Sequence, residues 1–257
     1  MLPNLLDLSD HVVLINGGCG ELGAAITDKL VDAGASVLVN DILPESEAQS
    51  RFRGRDRVEY FRSSGSTPEA AKELVQQCAD RFGSLPDTVL CHVGLVESHE
   101  IDRFPIQRFD DIMNTNVRTN FLLGQAAADA WKGSERSGHL IFTSSWVAET
   151  PWPGIAPYGA SKAAINSLTR SFARELAADG IRANAISPGI VGAGMAKRQW
   201  DTEPDYQRRA SKAIPLGELQ SVDSVANAFL FLCSNMASYM TGSVLVVDGG
   251  CGLYPMD

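Results

Sequence analysis

Long apolar runs are missing from this sequence. None approaches the about 20 residues that a helix needs to cross a bilayer, and no basic stretch leads into an apolar one at the N-terminus. No membrane association is expected. A basic surplus is missing too: 22 Lys and Arg stand against 31 Asp and Glu, a formal net charge of −9. Phosphate backbones are held by basic patches, so nucleic acid is excluded as a partner and the charge is read as serving solubility. The five cysteines, at 19, 78, 91, 233 and 251, contain no CxxC spacing, and the four histidines form no metal-ligand pattern. A scattered, odd set of thiols points to a reducing, cytoplasmic setting, and no metal is expected. No linker, repeat or low-complexity segment interrupts the chain.

What is present begins with Tyr158-Gly-Ala-Ser-Lys162 and, thirteen residues before the tyrosine, Ser145. Residues four apart share a helix face, so the phenol and the ammonium lie side by side. A free phenol titrates near about 10, and bringing it into the neutral range takes about 3 to 4 kcal/mol from a neighbouring cation. Ser145 is then placed to hold a carbonyl or alcohol oxygen where the tyrosine exchanges a proton with it. A lone Tyr-x-x-x-Lys pair would be read as a solvated helix face.

The N-terminal part supplies a partner. Val12 to Asn16 is a short apolar run, followed by Gly17-Gly-Cys-Gly-Glu-Leu-Gly23 and by Leu22, Ala25, Ile26, Leu30 and Ala33 at helical spacing. A glycine-rich turn between strand and helix lets the backbone approach a pyrophosphate at the helix N-terminus. A second apolar strand, Ser36 to Asn40, ends at Asp41, where an acid accepts hydrogen bonds from adenosine ribose hydroxyls. A 2′-phosphate there would meet the carboxylate with a repulsion of about 1 to 4 kcal/mol. No Lys or Arg lies between Asn16 and Gly23 to neutralise it. NAD is therefore expected over NADP, by about tenfold to a thousandfold.

These residues, from about Leu8 to Gly250, resemble the short-chain dehydrogenase/reductase family. Ser145, Tyr158 and Lys162 stand at the family's spacing, and Asn116 falls at its fourth catalytic position. Asn184-Ala-Ile-Ser-Pro-Gly189 is similar to its stretch after the sixth strand, and Tyr239-Met-Thr-Gly242 with Val247-Asp-Gly-Gly250 to its C-terminal signature. The resemblance implies a proton relay. In it Tyr158 is general acid or base, Lys162 lowers the tyrosine pKa and binds the nicotinamide ribose, Ser145 positions the substrate oxygen, and Asn116 holds a water. It also implies cofactor contacts from Gly17, Gly20, Glu21, Leu22, Gly23, Asp41, Ser64, His92, Gly94, Pro188, Gly189 and Val191. A homotetramer or homodimer is implied too, through helices at about 105–131 and 157–178.

Departures from the family pattern line the same site. Glu21 stands where a glycine is usual and adds a negative charge near the phosphates if it points inward. Gly17-x-x-Gly20-x-x-Gly23 is similar to the spacing of extended members and of ketoreductase domains. Asn16 replaces a threonine, Cys91-His-Val-Gly94 replaces Asn-Asn-Ala-Gly, Ser64 replaces an adenine-contacting Asp, and Ala193 replaces a carboxamide-contacting Thr.

At 257 residues the chain suits a single domain, 1–257. Further strand-like runs at 57–62, 87–92, 139–144, 181–187 and 243–247 alternate with helical stretches. Together they predict an α/β fold, a Rossmann-type doubly wound domain with a seven-stranded parallel sheet and helices on both faces. Loops at the strand ends carry Val96, Glu97, Trp146, Glu149, Trp152, Ile190, Met195 and Trp200. Of these Trp146, Glu149, Trp152 and Met195 are the candidate substrate contacts, and the tryptophans suit an apolar or ring-shaped substrate. The segment 191–214 resembles the family's lid. His11 and His139 read as surface residues at strand starts. His92 reads either as a cofactor or substrate contact or as a hydrogen-bonded strand-end residue, with His99 in the loop beyond. Cys19 starts a predicted helix, where a thiol pKa can fall, although a small residue in a tight turn is the simpler account. The expected activity is NAD-dependent oxidation of a secondary alcohol or reduction of a ketone. The alternatives are a cofactor-sensing protein on the same fold, or a member performing elimination or enoyl reduction.

Overall fold

The computed structural model describes residues 5–253; the remaining residues of the expected 1–257 domain lie outside them. Its strands are β1 (Val12–Asn16), β2 (Ser36–Asp41), β3 (Val58–Arg62), β4 (Thr88–Cys91), β5 (Gly138–Thr143), β6 (Ile181–Pro188) and β7 (Val244–Val247). They form one seven-stranded parallel sheet in the order β3-β2-β1-β4-β5-β6-β7. Every residue of β1 and β4 is buried, as strands covered on both faces must be.

The connecting helices are α1 (Glu21–Asp32), α2 (Glu45–Arg51), α3 (Pro68–Phe82), α4 (Ile106–Met113), α5 (Asn120–Gly133), α6 (Ala156–Leu176), α7 (Gly194–Thr202), α8 (Pro204–Ala213) and α9 (Val222–Cys233). Local chemistry sets their ends. Thr67 accepts a hydrogen bond from Ala70 N at 3.2 Å to start α3, Pro68 needs no donor there, and Gly83 closes it in the left-handed region. The helices α3, α5 and α6 cover one face through Leu74, Leu123, Trp131 and Ile165, while α1 and α9 cover the other through Ile26, Leu30, Phe229 and Leu232. A third apolar cluster, including Trp146, Ile155, Tyr206, Ala210 and Ile214, gathers the region after β5 and the α8 helix. Among the described residues no helix is long and apolar enough to cross a membrane.

Topology positions the site. The chain winds outward from β1 through β2 to β3, then returns beside β1 as β4 and winds the other way, so a crevice opens where the direction reverses. Asn16 is in register with both Asn40 and Cys91, so Gly17, Asp41 and His92 leave the sheet side by side.

Two expectations are corrected here. His139 is buried rather than on the surface. It pairs across the strands with Arg182, and its ring lies 2.9 Å from Asn184 Nδ2 and 3.1 Å from Arg182 Nη2. Burial first, and the Arg182 charge second, hold its pKa well below the ordinary value. His11 is half-buried. The helix expected across 105–131 is interrupted: between α4 and α5 the chain makes a π-helical turn, Asn114–Thr119.

Candidate active site

The crevice is a cleft of about 740 Å³. Its nucleotide end is built on the glycine loop. Gly17 adopts φ +83°, and a side chain there would strike the backbone of Val93; one at Gly23 would strike Gly17 O, so α1 packs directly on the loop. The Gly17 and Gly18 amides donate to Asn40 O at 2.8 and 3.1 Å. Asp41 accepts from Cys19 N at 3.0 Å and from Ile42 N at 2.7 Å, so the acid at the end of β2 also holds the glycine loop. The Cys19 thiol is pushed up to about 11 by burial and by Asp41, the reverse of what its place at a helix start suggested.

Glu21 points across the cleft. Its Oε2 accepts from Gly194 N at 3.0 Å, joining the first turn of α1 to the first residue of α7. Gly20, Leu22, Ser64, Gly94, Pro188, Gly189, Val191 and Ala193 line the same cleft. Ser64 Oγ lies 2.8 Å from Ser66 Oγ.

The reacting end gathers Ser145, Tyr158 and Lys162. Ser145 is buried just beyond β5, and its hydroxyl faces the Tyr158 phenol on α6. Lys162, one turn on, is buried and donates to Thr143 O at 2.8 Å, with its Nζ 5.4 Å from the Tyr158 ring centre. Gly94 leaves room for the ammonium, since a Cβ there would come within 3.4 Å of Nζ. Burial pulls Lys162 down to about 8. The same burial pushes Tyr158 up, opposed by the neighbouring Ser145 hydroxyl. The Lys162 ammonium is engaged by Thr143 O, and a phenol raised by burial is protonated at neutral pH.

His92 is the hydrogen-bonded residue of the two readings, and it also lines the cleft. Its Nδ1 lies 2.8 Å from Thr143 Oγ1, and burial, aided by Lys162, holds it down to about 3, so the ring is neutral. His99 stays outside the cleft, 3.5 Å from Glu97, which is also 3.5 Å from Arg108.

Asn116 sits behind the cleft wall, fully buried in the π-helical turn. Its Oδ1 accepts from Leu95 N at 2.6 Å, and its Nδ2 donates to Leu95 O at 2.9 Å and Ser161 Oγ at 3.0 Å. Both Nδ2 hydrogens are committed, so the carboxamide clamps the loop after β4 to α6. The turn's loosened carbonyls are taken up locally: Thr119 Oγ1 donates to Asn114 O at 3.1 Å and Asn120 Nδ2 to Asn116 O at 2.8 Å.

At the open end Trp146, Trp152 and Met195 line the cleft as expected, but Glu149 is exposed and lies outside it, and Glu97 and Trp200 do not line it either. The charged residue that does reach this end is Arg209, on α8 with Tyr206. Neither was singled out from sequence, although Tyr206, Ala210 and Ile214 recur at helical spacing through the polar 191–214 segment and mark an inward face.

A family model described as "Enoyl-(Acyl carrier protein) reductase" matches residues 20–252. The chain is 33% identical over 247 residues to a 3alpha-hydroxysteroid dehydrogenase of Mediterraneibacter gnavus, covering 94% of this chain and 97% of the relative. It is 34% identical over 250 residues to an A-factor type gamma-butyrolactone 1′-reductase of Streptomyces virginiae, covering 95% and 96%. Among solved structures it is similar to a gluconate 5-dehydrogenase from Burkholderia cenocepacia in complex with NADP and tartrate. That match has 26% identity, covers 96% of this chain and 97% of the other, and has a TM-score of 0.88.

Proposed function

The chain belongs to the short-chain dehydrogenase/reductase family, and from that premise we propose that it moves a hydride between a secondary alcohol or ketone and NAD, with Tyr158 as the acid or base. The carrying observation is the convergence of buried Ser145, Tyr158 and buried Lys162, its Nζ 5.4 Å from the Tyr158 ring centre, in a cleft whose other end is a glycine loop.

The loop suits a dinucleotide. A Cβ on Gly20 would meet nothing within 4 Å, so that face is open to a ligand, and Asn16 Nδ2 is buried at the cleft without a partner among the described residues. Gly17, Gly20, Leu22 and Gly23 would take the pyrophosphate, Asp41 the adenosine ribose, and His92, Gly94, Pro188, Gly189 and Val191 the nicotinamide half. When bound, the nicotinamide accepts or supplies the hydride, which is the difficult part of the chemistry. Ser145 holds the substrate oxygen. Tyr158, protonated at neutral pH, is ready to donate to that oxygen as a ketone becomes an alcohol; the reverse reaction requires its prior deprotonation. Lys162 places positive charge beside the phenol, and Asn116 fixes the loop carrying Gly94 and Leu95. A lid over 191–214, a single catalytic domain, a homotetramer or homodimer and a cytoplasmic location complete the reading.

Enoyl reduction is the second reading, favoured by the description of the matching family model. The Ser145 hydroxyl beside Tyr158 favours a carbonyl or alcohol oxygen instead. Tyr158→Phe tests the proposal: turnover of secondary alcohols and ketones should be abolished, while calorimetry shows NAD binding nearly intact. A variant that keeps most of its rate would remove Tyr158 from the relay.

A further inference from the structure

The outer end of the cleft carries an apolar wall with one exposed cation lying over it. Trp146 and Trp152 meet edge to face at 5.5 Å between ring centres, and Trp152 and Tyr206 at 6.1 Å. The Arg209 guanidinium lies 4.7 Å over the Trp152 ring and 5.9 Å from that of Tyr206. The neighbouring cations Lys197 and Arg208 are each tied to an acid on their own helix, Asp201 and Asp205. Arg209 has no hydrogen bond or ion pair among the described residues. The acids lining the cleft are Glu21 and Asp41, both at the nucleotide end, where Glu21 bonds Gly194 and Asp41 bonds the glycine loop. Beyond Lys162 at the reacting end, the substrate end therefore presents a single cation, Arg209, and no acid.

A stacked guanidinium keeps its capacity to bind. A ring beside it uses none of its five N–H donors, which form the planar fork that matches an oxyacid. From the hydride-transfer reading above, on which this inference rests, we propose that the substrate is anionic. It is an alcohol or ketone on an apolar, ring-bearing skeleton, with a carboxylate or similar oxyacid group that Arg209 receives while the reacting carbon faces Ser145 and Tyr158. Trp146 directly follows Ser145, and ring-to-ring and ring-to-guanidinium steps of 5.5 and 4.7 Å link it through Trp152 to Arg209, so one aromatic wall joins the reacting end to the cation. The body between lies against Trp146 and Trp152.

The test uses ketones supplied both as a carboxylate and as its methyl ester: a 3-oxosteroid with a side-chain acid, and a cyclohexanone with an alkanoate arm. With the intact protein, kcat/KM for acid over ester should be about tenfold or more, equivalent to about 1.4 kcal/mol. In Arg209→Gln the ratio should fall to near one, and Arg209→Lys, a point charge without the fork, should restore part of it. Quenching of tryptophan fluorescence in the presence of NADH reads the same pairs without turnover. Loss of turnover for every ketone would overturn the hydride-transfer reading. An acid-to-ester ratio that is equal in the wild-type and Arg209→Gln proteins, in rate or in binding, would overturn the role of Arg209 alone.

Discussion

Replacing Asn116 with alanine isolates the clamp behind the active-site wall. The side chain makes three hydrogen bonds while fully buried: one from Leu95 N, one to Leu95 O and one to Ser161 Oγ. Ser161 Oγ keeps its 2.6 Å bond to Tyr158 O, so the groups stranded by the change are the N–H and C=O of Leu95. Each stranded buried group costs about 1 to 3 kcal/mol. Leu95 borders the cleft, where water relieves part of that cost, so the loss should be about 2 to 4 kcal/mol. For a chain of this size that lowers the melting temperature by about 5 to 15 °C. Thermal and urea unfolding of wild type and Asn116→Ala, under conditions where both refold, give the comparison. Asn116→Asp should be no better at neutral pH, because it turns a carboxylate oxygen toward Leu95 O and Ser161 Oγ, and should recover partly on acidification. A loss below about 1 kcal/mol with activity abolished would refute the clamp and leave Asn116 with a role in the proton relay only.

Two further outcomes follow from the charges at the site. Asp41→Asn keeps an oxygen for Cys19 N but removes the negative charge, so NADPH affinity should rise about tenfold or more relative to NADH; an unchanged calorimetric ratio would sink the NAD preference. His92, held down to about 3, and His139, held well below its ordinary value, are both neutral in the folded protein, whereas the unfolded chain protonates both below about pH 6.5. Unfolding then takes up protons, so stability falls on acidification, with a limiting slope of about 2.7 kcal/mol per pH unit for the two groups. Urea unfolding between pH 7 and 5 reads that slope, His92→Asn should roughly halve it, and a flat profile would refute the burial argument.

The parts legible in the sequence are those encoded by neighbours along the chain. A buried parallel strand, a glycine turn, an amphipathic helix and an acid at the next strand end follow in order, and Tyr158 and Lys162 face one way because they are four apart. What escaped depends on what folds over a residue. His139 stands at a strand start, but register sets it against Arg182, and α9 and the turn after it cover that end. Spacing put Tyr158 and Lys162 on one face but carried no measure of the solvent each of them loses. Glu149 and Arg209 are both charged residues in polar stretches. Only the orientation of α8 against Trp152 distinguishes the one that reaches the cleft.

The π-helical turn at Asn114–Thr119 has a consequence for how the chain tolerates change over evolution. Such a turn amounts to one residue inserted into an otherwise continuous helix, and each residue of an α-helix turns it by about 100°. Deleting any one position there would let a regular helix form, but would swing Leu123, Ala127 and Trp131 off the sheet relative to Ile112. Substitutions on the exposed side of the segment leave that phase alone. Relatives that keep this site should therefore drift in the composition of the segment while holding its length, so insertions and deletions, rather than substitutions, mark a lineage that has abandoned it.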